Sequence, residues 1–235
     1  MQALNDSMAY MQPPIRCVHL AKERSWTCLS YKITTPDDSS CLYTVGTSRS
    51  HPEVTLTRHL QPVPYTRQTS SLSRLSGQFS LSNLLGQSRH HHYHHQQTAQ
   101  FNNNYLVGTA TFHTFSSKID IGLSTNHTII MKRPDPLSTT RRFESLTPLG
   151  TLEWKSDGGP FGSLVSSNLK LVDARGRTVA RYQKRSSSLS RENDVITLLV
   201  PELDGFLDIV VITCMATIEY RRVEDEAIEE VAGGV

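Results

Sequence analysis

The sequence predicts a mainly β protein, an antiparallel barrel or sandwich, and three observations carry that expectation. Short runs with period-2 alternation recur between turn signals roughly every 8–12 residues. No segment with helical period separates them. The chain then ends its patterned region on one continuous apolar stretch, Phe206 to Ile218, that breaks the rhythm.

The elements follow in order. Residues 1–14 hold Gln, Asn, Met and a Pro13-Pro14 pair and read as a loose, flexible start. From Ile15 the pattern is strand-like. Trp26 to Thr34 is a β-rich run, Pro36-Asp37-Asp38-Ser39-Ser40 is turn chemistry, and Cys41–Val45 and Val54–Thr57 follow. Strands resume at Tyr105, where Val107, Thr109 and Thr111 alternate with Gly108, Ala110 and Phe112. Ile119, Ile121 and Leu123 form one face of a half-buried strand. Ile129–Arg133 ends at Pro134, Leu152 and Trp154 share a face, and Leu169–Val172 with Thr178–Tyr182 form a hairpin about Asp173-Ala174-Arg175-Gly176. Val195–Val200 ends at Pro201, which makes roughly ten strands by pattern.

The last segment leaves two readings open. Ile209-Val210-Val211-Ile212-Thr213-Cys214-Met215-Ala216-Thr217-Ile218 is rich in β-branched residues and suits a strand. Its length, with Asp204 and Asp208 before it and Arg221-Arg222 after it, suits a helix with dipole-matched ends. A helix apolar on every side must be buried on every side.

Composition bounds the rest. The 235 residues suffice for one sizeable core, and apolar residues make up 37%. The formal net charge is +2, so no global field draws the chain to nucleic acid, and none is expected as a partner. Residues 66–104 contain no Asp, Glu or Lys but are full of Ser, Gln, Asn and His. Such a segment buries too little to offset its ordering entropy and reads as a disordered insertion between two strands. Phe79, Leu81, Leu84 and Leu85 are its one apolar patch, a candidate short helix or docking motif. Its tract His90, His91, His92, His94 and His95 binds Ni²⁺, Cu²⁺ or Zn²⁺ adventitiously, and no Cys or carboxylate beside it makes a specific metal site. Cys17, Cys28, Cys41 and Cys214 form no C-x-x-C pair, which points to reduced thiols and no cofactor. No secretory signal and no apolar run of about 20 residues is present, so the expected location is cytoplasmic or peripheral to a membrane, with the sequon Asn126-His127-Thr128 idle.

A resemblance is carried by Gly108–Ile119, Arg141-Arg142-Phe143, Gly150–Lys155, Leu169–Val172, Val179–Tyr182 and Leu207–Thr213, followed by Glu219-Tyr220-Arg221-Arg222. Individually weak, these segments fall in the order of a fungal family of unknown function related to the tubby C-terminal domain, LURP-one and the phospholipid scramblases. The resemblance covers roughly residues 26–60 and 105–226 and implies a closed antiparallel barrel of about twelve strands around a buried C-terminal helix. Ile209, Val210, Val211, Ile212, Cys214, Met215 and Ile218 are then the core of that helix. The domain spans 15–226, interrupted by the insertion, and 227–235 is an acidic, flexible tail. No headgroup-binding residue of the tubby group aligns onto a position here.

No enzyme motif stands in the chain. It lacks a phosphate-binding Gly-rich loop and a G-x-S-x-G elbow, and Gly158-Gly159-Pro160-Phe161-Gly162 reads as an inter-strand loop. The expectation is a non-enzymatic binding module. Lys132, Arg133, Arg141 and Arg142 flank one loop, while Arg175, Arg177, Arg181, Lys184 and Arg185 surround a hairpin. If these converge at one barrel end they form a patch for a phosphoinositide or other anionic lipid, with Lys132, Arg133, Arg141, Arg142, Arg181, Lys184 and Arg185 as the candidate contacts. The plain alternative is a normally charged surface. Ser70, Ser71, Ser76 and Ser186–Ser188 follow basic residues and are candidate phosphorylation sites that would weaken such a patch. The second functional expectation is a scaffold whose insertion and acidic tail capture a protein partner.

Overall fold

A computed structural model describes residues 16–24, 29–48, 53–64, 104–113, 116–135, 138–158, 167–185, 192–201, 203 and 205–233. The loose start at 1–14, the His tract and all of the insertion except Asn104 lie outside the described residues, as do Ser186–Ser188 and Gly159–Gly162.

Twelve strands form one antiparallel sheet: β1 Arg16–Arg24, β2 Leu29–Thr34, β3 Ser40–Ser48, β4 Glu53–Pro64, β5 Asn104–Phe112, β6 Ile119–Leu123, β7 Thr128–Met131, β8 Arg141–Glu144, β9 Thr151–Ser156, β10 Leu169–Asp173, β11 Thr178–Gln183 and β12 Asp194–Leu198. Among the described residues one helix, α1, follows at Phe206–Gly233. Each strand pairs with its sequence neighbour, and β1 pairs with β12, so the sheet runs as an up-and-down meander whose free edges are β7 and β8. Those edges meet at one bridge. Lys132 N donates to Arg142 O at 2.9 Å and Arg142 N to Lys132 O at 2.8 Å. The barrel is thereby closed by a single residue pair, while every other seam described is a ladder.

Alternation explains the wall. Along β7 the order is exposed, buried, exposed, buried, and β8 runs in the reverse phase from a buried Arg141. Inward faces supply Ile33, Tyr43, Leu56, Ile121, Met131, Leu152, Trp154 and Leu171, all fully or almost fully buried. A ring of twelve strands leaves a lumen wider than side chains alone fill, and a helix about 10–12 Å across occupies it. α1 is buried on every face from Phe206 through Thr217 apart from partly buried Asp208. The helix reading of this stretch therefore holds, and the β-branched content is overridden by enclosure. Those twelve residues span about 18 Å, close to the length of a five- or six-residue strand.

Two polar residues within the enclosed stretch are satisfied locally. Thr213 returns its hydroxyl to Ile209 O at 2.7 Å and accepts Trp154 Nε1 at 3.0 Å, and Thr217 bonds to Thr213 O at 2.8 Å. Past Thr217 the helix leaves the barrel and runs to Gly233, so the acidic run Glu224 to Glu230 is its outer end.

One wall position is set by the neighbouring strand β6 together with the helix. A Cβ at Gly108 on β5 would lie 2.5 Å from Gly122 O and 3.1 Å from Ile212 Cδ1, whereas a Cβ at Gly46 on β3 meets nothing within 4 Å. Gly108→Ala is expected to lower stability by about 1–3 kcal/mol through overpacking. Gly46→Ala is expected to change it little, with thermal and urea unfolding as the measurement. Equal effects at the two positions would contradict this crowding of Gly108 between β6 and the helix.

Candidate functional site

α1 occupies the lumen with side chains buried from Phe206 to Thr217 apart from partly buried Asp208, which turns attention to the ends and the outer wall among the described residues. α1 enters the barrel at the end carrying the β2–β3, β4–β5, β6–β7, β8–β9 and β10–β11 connections and leaves at the other.

Both ends are clamped by a helix carboxylate. At the entry end Asp208 accepts from Tyr43 Oη at 2.6 Å, Tyr105 Oη at 3.2 Å and Arg58 Nη1 at 3.2 Å. At the exit end Glu219, only 1% exposed, accepts from Tyr31 Oη and from Arg222 Nε at 2.8 Å. Beside it Tyr182 Oη donates to Asp194 at 2.8 Å. These groups floor a cleft of about 520 Å³ at the exit mouth, walled by Leu20, Leu169 and Ile218 and rimmed by Lys22, Lys184, Asp225 and Glu229. Its buried carboxylates already have donors, and its charges are mixed.

The basic residues singled out by sequence divide into four groups. Arg175 and Arg177 sit in the β10–β11 turn, at the entry end, with Arg177 Nε 3.1 Å from Asp173. Arg181 lies on β11 with its Nε 3.6 Å from Asp157. Lys184 and Arg185 follow β11 at the exit end, and the Arg185 amide bonds to Asp194 at 2.9 Å. Lys132, Arg133, Arg141 and Arg142 share the exit end with them but stand across β9 and β10. The seven candidates do not form one patch.

Arg141 is not a surface contact at all, which corrects its place among the headgroup candidates. The alternation of β8 turns it inward with Phe143, and its side chain is 2% exposed. Its guanidinium lies 4.2 Å from the Tyr220 ring centre and donates to Ser117 O at 3.0 Å. Burial, and then the charge of Arg133, lower its pKa to about 10 against the pull of Glu224 and Tyr220.

The remaining three converge. Lys132, Arg133 and Arg142 line a groove of about 470 Å³ along the β7–β8 seam, with Thr128, Ile130, Pro134, Phe143 and one carboxylate, Glu144. Glu144 accepts from Thr151 at 2.6 Å. Lys132 and Arg142 are directly opposed across the closing bridge, and both are exposed, Arg142 by 55%. Opposed cross-strand side chains sit about 5 Å apart at Cβ, where like charges destabilise the pair. Glu153 offsets part of this by accepting from Arg142 Nη2 at 3.0 Å, while also pairing with Lys155 at 2.5 Å. Burial pushes the Glu153 carboxyl up, but Lys155 and Arg142 together outweigh it and hold it below the usual range. Ile130, 40% exposed, adds an apolar contact on the same wall.

Among the described residues no cluster of His, Cys, Asp and Glu can hold a metal ion, and no helix is long and apolar enough to cross a membrane. Cys17, Cys41 and Cys214 carry free thiols, and complete burial pushes the Cys214 thiol up.

The clamps carry a pH dependence. Tyr31, Tyr43 and Tyr182 are held well above the tyrosine range, by burial first and then by Glu219, Asp208 and Asp194 respectively. A raised folded pKa contributes stability that is complete below the unfolded value, about 10, and is lost as pH rises beyond it. The three hydroxyls together account for about 4 kcal/mol per pH unit, and Arg141, shifted down, opposes with about a third of that. Urea unfolding is expected to show a steep fall in stability above about pH 10, less steep in Tyr182→Phe. An unchanged slope in that variant would contradict the Tyr182–Asp194 clamp.

Comparison with known proteins returns no match: no protein-family model, no curated protein and no solved structure matches the chain.

Proposed function

We propose that this protein is a non-enzymatic binding module that recognises anionic lipid headgroups with the β7–β8 seam groove. The observation that carries the reading is the opposed pair Lys132 and Arg142, joined by Arg133, around a groove with one carboxylate. An anion seated between the two cations relieves their repulsion and adds a contact at the barrel's thinnest seam. A phosphate suits the pair, since a guanidinium offers a forked donor and an ammonium a point charge. Exposed Ile130 beside the cations favours a lipid-borne anion over a free one. Kinship with the tubby-like group belongs to the same proposal, and its support is the shared architecture of a twelve-strand barrel around a buried helix.

The test is co-sedimentation of the tag-free protein with vesicles of neutral lipid doped with phosphatidylserine or a phosphoinositide, across a salt series with chelator present. Each cation near an anionic surface is worth about 1 kcal/mol, so Lys132→Gln with Arg142→Gln is expected to weaken binding about thirtyfold. Binding by the unaltered protein is expected to fall with salt as screening shortens. Arg175→Gln with Arg177→Gln removes the same charge at the opposite end and is expected to leave binding largely intact. No binding to any anionic vesicle, or equal loss in the two double variants, would overturn the reading and direct the search to a protein partner.

A further inference from the structure

The outer half of α1 reaches Arg133, one of the residues lining the groove, although nothing in its sequence marks it as part of that site. Tyr220 and Glu224 lie one helical turn apart, on one face, and that face meets the β7–β8 connection. Arg133 and Arg141 both lie over the Tyr220 ring, at 5.8 and 4.2 Å from its centre. Glu224 then accepts from Arg133 Nη2 and stands 3.8 Å from Arg141 Nη2. One carboxylate thus serves two adjacent guanidiniums, one buried in the wall and one lining the groove. The downward shift of the Arg141 pKa, caused by burial and then by Arg133, has the sign expected of two cations crowded together. Beyond Glu224, Asp225, Glu226, Glu229 and Glu230 are exposed.

We infer that Glu224 is an internal competitor for the seam groove: it occupies Arg133 in the free protein, and an anionic headgroup must displace it to recruit the third cation. This rests on the lipid reading above and goes further, because it places control of affinity in the helix that also fills the barrel. The groove then has two grades of binding. Lys132 acts at once, and the exposed Arg142 acts with the donors that Glu153 leaves to it, whereas Arg133 joins only when the ligand's charge exceeds what Glu224 supplies. A headgroup with several phosphates is accordingly favoured over one with a single phosphate by more than its charge alone.

The experiment is the same vesicle assay on Glu224→Gln, with Asp225→Asn as the control that removes an equal charge one residue along. Glu224→Gln is expected to tighten binding about fivefold, the worth of one freed cation near an anionic surface. The gain is expected to vanish when Arg133→Gln is added, which a general charge effect would not do. Should Glu224→Gln fold poorly, Glu224→Asp shortens the side chain by one carbon and is expected to give a smaller gain in the same direction. Unchanged affinity in Glu224→Gln, with Lys132→Gln/Arg142→Gln still weakening binding, would overturn the competitor role and leave the groove reading standing. An equal gain in Asp225→Asn would also overturn it. Failure of every form to bind anionic vesicles would overturn the groove reading itself.

Discussion

The structure depends on one constraint, the enclosure of a helix that has no polar face. From Phe206 to Thr217 α1 offers no stripe that water can wet, apart from the clamped Asp208, and Val210, Val211, Ile212, Cys214 and Met215 are all at 0% exposure. A single sheet packed on one side would leave half of that surface in water, at about 25 cal/mol per Å² of apolar area. Only a wall that goes all the way round removes the cost, which is why twelve short strands close on themselves. The wall needs the helix equally, because inward side chains alone do not fill a lumen of that width. Core and barrel are therefore one cooperative unit.

Closure shapes the polar chemistry as well. A helix inside a barrel has its two ends at the two mouths, and each mouth carries a helix carboxylate held by tyrosine and arginine: Asp208 by Tyr43, Tyr105 and Arg58, and Glu219 by Tyr31 and Arg222. These clamps fix the helix along its axis, where apolar contacts discriminate poorly. The seam between β7 and β8 is the exception to thorough closure. It relies on one bridge, and the facing side chains at that bridge carry like charge. Local frustration of this kind, in a fold otherwise consistent from pattern to packing, is the physical reason to look for a ligand there.

Much of the wall was legible in the sequence. Ile119, Ile121 and Leu123 announce β6, and Asp173 to Gly176 announces the β10–β11 turn, because alternation and turn chemistry are local properties. β8 was not legible from pattern, since Arg141-Arg142-Phe143-Glu144 is short and mostly charged. The phase of Arg141 with Phe143 was the available signal that Arg141 points inward, and it is weak beside the ordinary preference of arginine for the surface. The helix could not be separated from a strand locally, because Ile209 to Ile212 is β-branched and only enclosure decides the matter. The seven basic candidates failed to converge for a topological reason: β9 and β10 stand between Lys132 and Lys184, and the hairpin's other cations, Arg175 and Arg177, fall in a turn at the opposite end. Glu224 was hidden in an acidic run whose neighbours face solvent.

The central claim is that α1 is enclosed from Phe206 to Thr217, and amide hydrogen exchange followed residue by residue tests it most directly. An enclosed helix opens only when the barrel does. The amides of Val210 to Thr217 are therefore expected to exchange at the rate of global unfolding, together with the central residues of β4 and β5, while those of Asp225 to Glu230 exchange early. Exchange of Val210 to Thr217 well ahead of β4 and β5 would show a helix that leaves a standing barrel, and would contradict the account.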